Sequence, residues 1–445
     1  MKNKKICVIG LGYIGLPTAA TFATHGQKVL GVDANPHVVE TLSKGEIHIH
    51  EPGLEHVVNA AITTGNLTVA SSPQEADVFI IAVPTPFHEE KFGSYEGMKY
   101  RLADMGAVTS ATEAIVPFLR KGNLVILEST SPPRTTIDLI VPILEKSNLK
   151  AGSDFHLCYS PERVLPGKIL HELIENARVV GGITPESAKA GRDIYTTFVK
   201  GEIIETDATT AEMVKLMENT TRDVNIAIAN EFSRLAEKFG VDVWEAIDLA
   251  NRHPRINILS PGPGVGGHCI SVDPWFFVEK APELTPLIYN ARQVNDQQPN
   301  FVLEKIKQAL GEIKGKKIAA LGLAYKPNVD DLRESPAVEV VHLLQEAGAT
   351  VRAWEPFNPK AKLRGINMTS NLEETIKDAN ALLLLVKHTE FIELDPAEFI
   401  KKTSARISID TVGAWNTQKW VEAGFQFHRL GDNKSMIEIQ NRISK

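Results

Sequence analysis

Short apolar runs alternate with helix-length amphipathic stretches over the first part of the chain. Lys5 to Ile9 is a compact apolar run that predicts a buried strand. The apolar stretch after it, as far as His25, has the length of a helix, and Gln27 to Val32 predicts a second strand. Ala76 to Val83, Leu124 to Glu128 and Phe155 to Tyr159 continue the series. Strands alternating with helices in this way point to a parallel sheet of the α/β class. Around Thr206 the spacing turns helical. From Ala211 to Phe239 the apolar residues Met213, Leu216, Met217, Val224, Ile228 and Leu235 recur at helical intervals. Thr209-x-x-Glu212 predicts a capping box at the start of that helix. Val243 to Ala250 and Asn290 to Leu310 are further helical stretches.

The first strand and helix are joined by Gly10-Leu11-Gly12-Tyr13-Ile14-Gly15, and the second strand ends at Asp33. Strand, GxGxxG, helix and an acid about 20 residues on form a dinucleotide fingerprint. Gly10, Gly12 and Gly15 permit a tight turn that lets a pyrophosphate meet the helix N-terminus. Asp33 would accept from ribose hydroxyls and repel a 2′-phosphate, which favours NAD over NADP. Thr85 and Thr130 follow the third and fourth of these strands, where ligands of open parallel sheets bind, and either could instead cap a turn. From Lys316 the chain repeats itself: KKIAALGLA echoes KKICVIGLG at Lys4–Gly12, Ala349 to Trp354 echoes the second strand, and Ala381 to Val386 echoes Val78 to Val83. The glycines are not repeated, and Ala324-Tyr325-Lys326-Pro327 takes their place. A lysine at that turn suggests a different phosphate-bearing ligand. Ser335 and Pro336 predict the N-cap and first position of the next helix, and Arg333 before them is a phosphate contact or a partner of Asp330. The expected architecture is α/β: two Rossmann-like doubly wound domains joined by a central helical domain, with bounds at 1–205, 206–310 and 311–445.

Chemistry gathers in the stretch SPGPGVGGHCISVDP, from Ser260 to Pro274. So many glycines let a backbone approach a ligand closely, at an entropic cost. Cys269 on such a loop, with Asp273 four residues on, is a nucleophile candidate; the plainer alternative is a packed thiol in a linker. On the long helix Lys215 and Asn219 are one turn apart and share a side with Arg222, where Ile226 and Ala229 also fall. A helix apolar on both sides is sandwiched rather than solvated, which makes Lys215 a proton-transfer candidate. Ser160-Pro-Glu162-Arg163-Val164-Leu-Pro-Gly167 is a polar loop after a strand and a further candidate.

Composition narrows the class. The chain has 445 residues, 43% hydrophobic and 23% charged, and a net charge of −7. That suits a globular protein of two or three domains and gives no footprint for nucleic acid. Its three cysteines, Cys7, Cys158 and Cys269, are odd in number and far apart, as in a reducing compartment. No Cys/His spacing suggests a metal. The basic start and apolar run from Ile6 to Ala23 imitate a signal peptide, but Gly10, Gly12, Gly15 and Pro17 interrupt it. No membrane span is expected, and the expected location is cytoplasmic.

The motifs in order resemble the UDP-glucose/GDP-mannose dehydrogenase family over essentially the whole chain. They are GLGYIG, VPTP at Val83–Pro86, LESTSP at Leu127–Pro132, PERVLPG at Pro161–Gly167, AEMVKLMENTTRDVNIAIANE at Ala211–Glu231, NRHPRINI at Asn251–Ile258, PGVGGHCISVDPWF at Pro263–Phe276 and AYKPNVDDLRESP at Ala324–Pro336. The resemblance implies oxidation of a sugar primary alcohol to a carboxylate with two NAD, through Cys269. It implies that Lys215 and Asn219 stabilise the oxyanion, and that Asp273 and Glu162 place or activate water with help from Thr130. By the same likeness Tyr13, Ile14, Asp33, Thr85, Thr130 and Arg333 contact NAD. The matching substrate set is Arg163, Val164, Lys215, Asn219, Arg222, His253, Arg255 and Gly266, with Tyr325 and Lys326 at the UDP. Family members pair as homodimers through the central helices. Many members have Cys-x-Pro-Lys-Asp, whereas Val272 replaces the lysine here and His268 precedes the cysteine. That departure resembles the N-acetylhexosamine branch, with the mannosamine epimer expected and the glucosamine epimer as the alternative. A non-catalytic sensor of NAD or nucleotide sugar is the alternative of a different class.

Overall fold

A computed structural model describes residues 4–49, 51–267 and 269–433, so His268 and the chain beyond 433 lie outside the described residues. Contacts divide the chain into two compact units, Met1–Glu218 with Trp275–Thr285, and Asn219–Pro274 with Pro286–Lys445.

The first unit holds an eight-stranded sheet. Its strands are β1 (Lys5–Ile9), β2 (Lys28–Val32), β3 (Leu67–Ala70), β4 (Val78–Ile81), β7 (Leu124–Leu127), β8 (His156–Tyr159), β9 (Arg178–Gly182) and β10 (Ile203–Asp207), with β5 (Phe87–Tyr95) and β6 (Met98–Ala103) forming a separate hairpin. The order is β3-β2-β1-β4-β7-β8-β9-β10. Every neighbouring pair is parallel except β8 and β9. Strand order reverses between β1 and β4, and crevices at such reversals receive ligands. The strands are buried on both faces, as parallel strands must be. Alternate residues of β1 therefore serve opposite cores: Ile6 and Val8 pack with Leu16 and Phe22, Cys7 and Ile9 with Phe79 and Val108. Each such side chain contributes roughly 2 kcal/mol by leaving water.

The second unit carries a six-stranded parallel sheet of β11 (Lys317–Leu321), β12 (Thr350–Trp354), β13 (Asn367–Met368), β14 (Ala381–Leu384), β15 (Ile407–Asp410) and β16 (Gln426–Arg429). Its order, β13-β12-β11-β14-β15-β16, repeats that of β3-β2-β1-β4-β7-β8 in the first sheet, as the echoed runs imply. The fold is thus α/β, with a Rossmann-like parallel sheet at each end and helices between. Among the described residues no helix is long and apolar enough to cross a membrane.

The hairpin is absent from the sequence reading. It turns at Glu96 and Gly97, both at positive φ (44° and 87°), the backbone that two-residue hairpin turns require. Its base is held by Phe87, edge-on to Phe276 at 6.2 Å, and by Ala103 N donating to Glu279 Oε2 at 2.8 Å.

The long helix runs from Ala208 to Phe239, and its start differs from the expected capping box. Asp207 is the acceptor there, taking Thr210 N at 2.9 Å and Thr210 Oγ1 at 2.5 Å. Glu212 instead points into the unit, fully buried, and accepts from Arg134 N (2.6 Å), Thr136 N (2.7 Å) and Thr136 Oγ1 (2.6 Å). It caps the helical segment that follows β7. Burial pushes its carboxyl up, against the pull of these donors. Of the apolar residues at helical spacing, Leu216 is buried, whereas Met213, Met217, Ile228 and Leu235 are exposed.

Glu212→Ala should remove three hydrogen bonds and orphan two amides. The expected cost is about 3 kcal/mol, checked as a lowered midpoint in denaturant unfolding of the first unit's signal.

Candidate active site

The fingerprint turn sits where β1 ends. A Cβ on Gly10, at φ +92°, would stand 2.6 Å from the Ala82 carbonyl oxygen, and one on Gly15 would stand 1.8 Å from that of Gly10. Both glycines are demanded by close packing of the turn on β4. Gly12 differs: no heavy atom lies within 4 Å of where its Cβ would be. An exposed backbone with open space before a helix N-terminus fits a pyrophosphate. Asp33, half-buried, accepts from Leu11 N at 2.9 Å and from Asn35 N at 2.8 Å, so it ties the end of β2 to the glycine turn. Ser129 Oγ donates to Val83 O at 2.7 Å and laces the ends of β7 and β4, which carry Thr130 and Thr85.

The second unit has the same device with another outcome. Glu355 follows β12 as Asp33 follows β2. It is fully buried; its Oε2 accepts from Leu323 N (2.8 Å) and Ala324 N (2.9 Å), and its Oε1 from Phe357 N (3.0 Å). His388 Nε2 lies 3.1 Å from Oε2, and Asn328 N donates to His388 Nδ1 at 2.9 Å, so the ring proton is on Nε2. Burial pushes Glu355 up, but the histidine and the amides outweigh it and hold the carboxyl below its usual range. Tyr325 and Lys326 lie on the turn so braced.

The thiol loop belongs to the same unit. Cys269 is exposed, and its carbonyl accepts from Val272 N (3.0 Å) and Asp273 N (2.8 Å), the turn that opens the helix Asp273–Lys280. Asp273 is 1% exposed and accepts from Asn219 Nδ2 at 2.5 Å. Upstream, a Cβ on Gly267, at φ +84°, would stand 2.7 Å from the Tyr325 ring. One on Gly266 would stand 2.3 Å from Glu334 O and 3.1 Å from Tyr325 Cβ. The loop is therefore pressed against the Tyr325 turn with no room for side chains.

Lys215, on the part of the long helix within the first unit, is 7% exposed, whereas Arg222, on the part within the second, is exposed. Glu162 Oε1 accepts from Arg163 N at 2.7 Å and its Oε2 pairs with Arg178. Arg163 itself pairs with Glu218 at 2.6 Å and donates to Ala177 O, and Val164 packs on the core. His253 and Arg255 are exposed on the loop after the helix Val243–Asn251, where Arg255 N donates to His253 Nδ1 at 3.4 Å. Arg333 forks onto Asp331, with bonds of 2.8 and 2.7 Å, and not onto Asp330. Ser335 caps the next helix as expected, accepting from Ala337 N. Sequence reasoning missed Glu128, Arg178 and Tyr195, a buried cluster behind Glu162, because only the fold brings them together.

A glycine turn at the crossover of one sheet, a second sheet of the same order without those glycines, and an exposed thiol on a glycine loop define a dinucleotide-dependent dehydrogenase with a separate substrate-binding sheet. Residues 4–199 match the NAD binding domain of the UDP-glucose/GDP-mannose dehydrogenase family, 209–297 its central domain and 319–417 its UDP binding domain. The chain belongs to that family and is an NAD-dependent nucleotide-sugar dehydrogenase. It is 47% identical over 436 residues to the UDP-N-acetyl-D-mannosamine dehydrogenase of Methanocaldococcus jannaschii, covering 97% of this chain and 98% of that one. It is 46% identical over 426 residues to the NDP-N-acetyl-D-galactosaminuronic acid dehydrogenase of Ralstonia solanacearum, covering 94% and 97%. Among solved structures it is similar to the UDP-D-ManNAc dehydrogenase of Pyrococcus horikoshii, with TM-score 0.88, 38% identity and coverage of 97% and 100%.

Asp33→Ala should free the Leu11 amide and remove the acceptor expected for a ribose hydroxyl. Affinity for NAD should fall by at least about tenfold while discrimination against NADP relaxes, as read by fluorescence titration with each reduced cofactor. Comparable turnover of both cofactors by the unmodified protein would defeat this role of Asp33.

Proposed function

We propose that the chain oxidises UDP-N-acetyl-D-mannosamine at C6 to UDP-N-acetyl-D-mannosaminuronate, in two hydride transfers separated by a covalent stage at Cys269. The observation that carries this reading is the exposed Cys269 thiol, set on a close-packed glycine loop one turn before a buried Asp273 that Asn219 holds. NAD, bound at the Gly10–Gly15 turn, supplies a hydride acceptor for each oxidation. After the first, Cys269 Sγ adds to the aldehyde carbon, and the carbonyl oxygen takes a proton to become a hydroxyl. Loss of the second hydride leaves a thioester. Water then attacks the acyl carbon, the C–S bond breaks, and the thiolate leaves. Lys215 and Asn219 donate to the oxygen as its charge develops, and Lys215 carries the proton to or from it. Asp273 and Glu162 place or activate the water, with Thr130 assisting. Tyr325 and Lys326 hold the UDP, and Arg163, Val164, Arg222, His253, Arg255 and Gly266 complete the sugar site.

Val272 where many members have lysine, together with the likeness to UDP-N-acetylmannosamine dehydrogenases, supports this sugar. A galactosamine-derived sugar is the second reading, favoured by the Ralstonia relative. We infer a homodimer as well: Ile228, Phe232, Leu235 and Phe239 form one exposed apolar stripe on the long helix, which a second copy would cover. The enzyme is assigned to the cytoplasm, in keeping with three cysteines outside any disulfide.

A panel of UDP-N-acetylmannosamine, UDP-N-acetylglucosamine, UDP-N-acetylgalactosamine and UDP-glucose, scored by kcat/KM for NADH formation, should rank the first highest. A higher value for UDP-glucose removes the branch assignment, and no NADH with any of them points to a sensor. Cys269→Ala should bind NAD normally and form no uronate. Iodoacetamide should inactivate in step with labelling of Cys269 alone, because Cys7 and Cys158 are buried and burial pushes their thiols up, that of Cys7 to about 11. Near-normal uronate formation by the alanine variant would reduce Cys269 to a packing residue.

A further inference from the structure

Behind Glu162 lies a buried group of charges that the proposed reaction does not use. Arg178, on β9, is 4% exposed, and Glu128, the residue after β7, is 3% exposed. Arg178 Nη1 donates to Glu128 Oε1 at 3.2 Å and to Ser160 Oγ at 3.3 Å, while Nη2 pairs with Glu162. Tyr195, on the helix Pro185–Tyr195, donates its hydroxyl to the same Glu128 oxygen at 2.6 Å and places its ring 4.2 Å from the guanidinium. Glu128 Oε2 is buried and has no hydrogen-bond partner.

One buried cation between two carboxyls leaves a surplus negative charge if both ionise, and a dry interior opposes that. The two ends differ in support. Glu162 has the main-chain amide of Arg163 as well as Arg178, whereas Glu128 crowds both of its donors on one oxygen and leaves the other bare. A bare buried oxygen is where a proton costs least. Burial pushes Glu128 up to about 7, against the pull of Arg178 and with the Glu162 charge adding to the rise. The other titratable groups facing it, the Cys158 thiol of β8 and the Tyr195 hydroxyl, are themselves pushed up by burial and by Glu128.

We propose that Glu128 is a positioning residue that holds the single proton of this carboxyl pair, so that Arg178 is given wholly to Glu162 and Glu162 is kept as an oriented carboxylate at the Pro161–Gly167 loop. This rests on the reading that Glu162 places the hydrolytic water. When Glu128 loses its proton, Arg178 is shared between two anions and the hold on Glu162 loosens. Glu128 is thus a built-in acid whose ionisation lowers the rate from behind the site.

Glu128→Gln keeps an acceptor for Tyr195 and Arg178 and cannot ionise. Two measurements across pH 5 to 9 then test the proposal. The first is thermal stability. Because the folded chain binds this proton more tightly than the unfolded one, the wild type should lose stability relative to the variant as pH rises from the ordinary carboxylate range to about 7. The second is the ratio of wild-type to variant kcat for uronate formation, which should fall several-fold through a midpoint near neutrality. A flat ratio overturns the proposal even if the stability difference is present, since Glu128 would then titrate without acting on Glu162. A stability difference that does not change with pH overturns it too, since Glu128 would carry no proton. Glu162→Gln separates the two layers: uronate formation at the unmodified rate in that variant sinks the water-placing role on which the proposal stands, whatever Glu128 does.

Discussion

The absence of space at Gly266 and Gly267 governs the second unit. A side chain at either position would enter the Glu334 carbonyl or the Tyr325 ring. The loop that carries Cys269 can therefore lie in one place only, flat against the turn that carries Lys326. Glycine loses more freedom on folding than any other residue, so the arrangement is costly until packing offsets it. The offset comes from a ring, from a proline at the next helix start, and from Asn230, which accepts from Gly262 N at 3.0 Å. Asn230 in turn donates to Asn295, and Asn295 to Asp223, which pairs with buried Arg292 at 2.5 Å. The thiol's position is thus inherited from a chain of buried polar contacts reaching back into the long helix. Buried pairs of this kind add little net stability, but breaking one is expensive, which suits them to fixing geometry.

Local features were legible from the residues. The strands after which Gly10, Asp33, Thr85 and Thr130 fall, the repeat that begins at Lys316, and the cap at Ser335 all depend on neighbours in sequence. What escaped depends on partners far away. Thr209-x-x-Glu212 has the letters of a capping box, yet Asp207 outcompetes it and Glu212 is drawn to amides more than seventy residues upstream. The stripe through Met213, Ile228 and Leu235 has helical period but is exposed, because periodicity shows that a face is apolar and not what covers it. Arg333 meets Asp331 rather than Asp330, and its main-chain N donates to the same Asp331 carboxylate at 3.1 Å, so a turn of two residues closes the pair. The hairpin left a local trace: Glu96-Gly97 between Phe92 and Tyr100 is a turn signal, hidden by the expectation that a helix follows each strand.

The two sheets share an order but treat the acid after their second strand differently. Asp33 keeps surface and spends one bond per oxygen; Glu355 is sealed, with amides on both oxygens and a histidine beside one. A ribose can approach the first acid and has no approach to the second. The duplicated sheet has in effect been closed to dinucleotides by filling its acceptor from within, which leaves its turn available for a different phosphate ligand.

That closure has a kinetic consequence. On the proposed reaction, two oxidations served by one dinucleotide turn would oblige the spent cofactor to depart and a fresh one to arrive halfway through each catalytic cycle. A free aldehyde would have that whole interval in which to escape or hydrate. On the same proposal, a sugar held at its nucleotide end by the second sheet and bonded to the Cys269 sulfur would stay in place during that exchange. Sealing Glu355 would then do more than choose a ligand, because only one of the two sheets would exchange what it binds within a cycle.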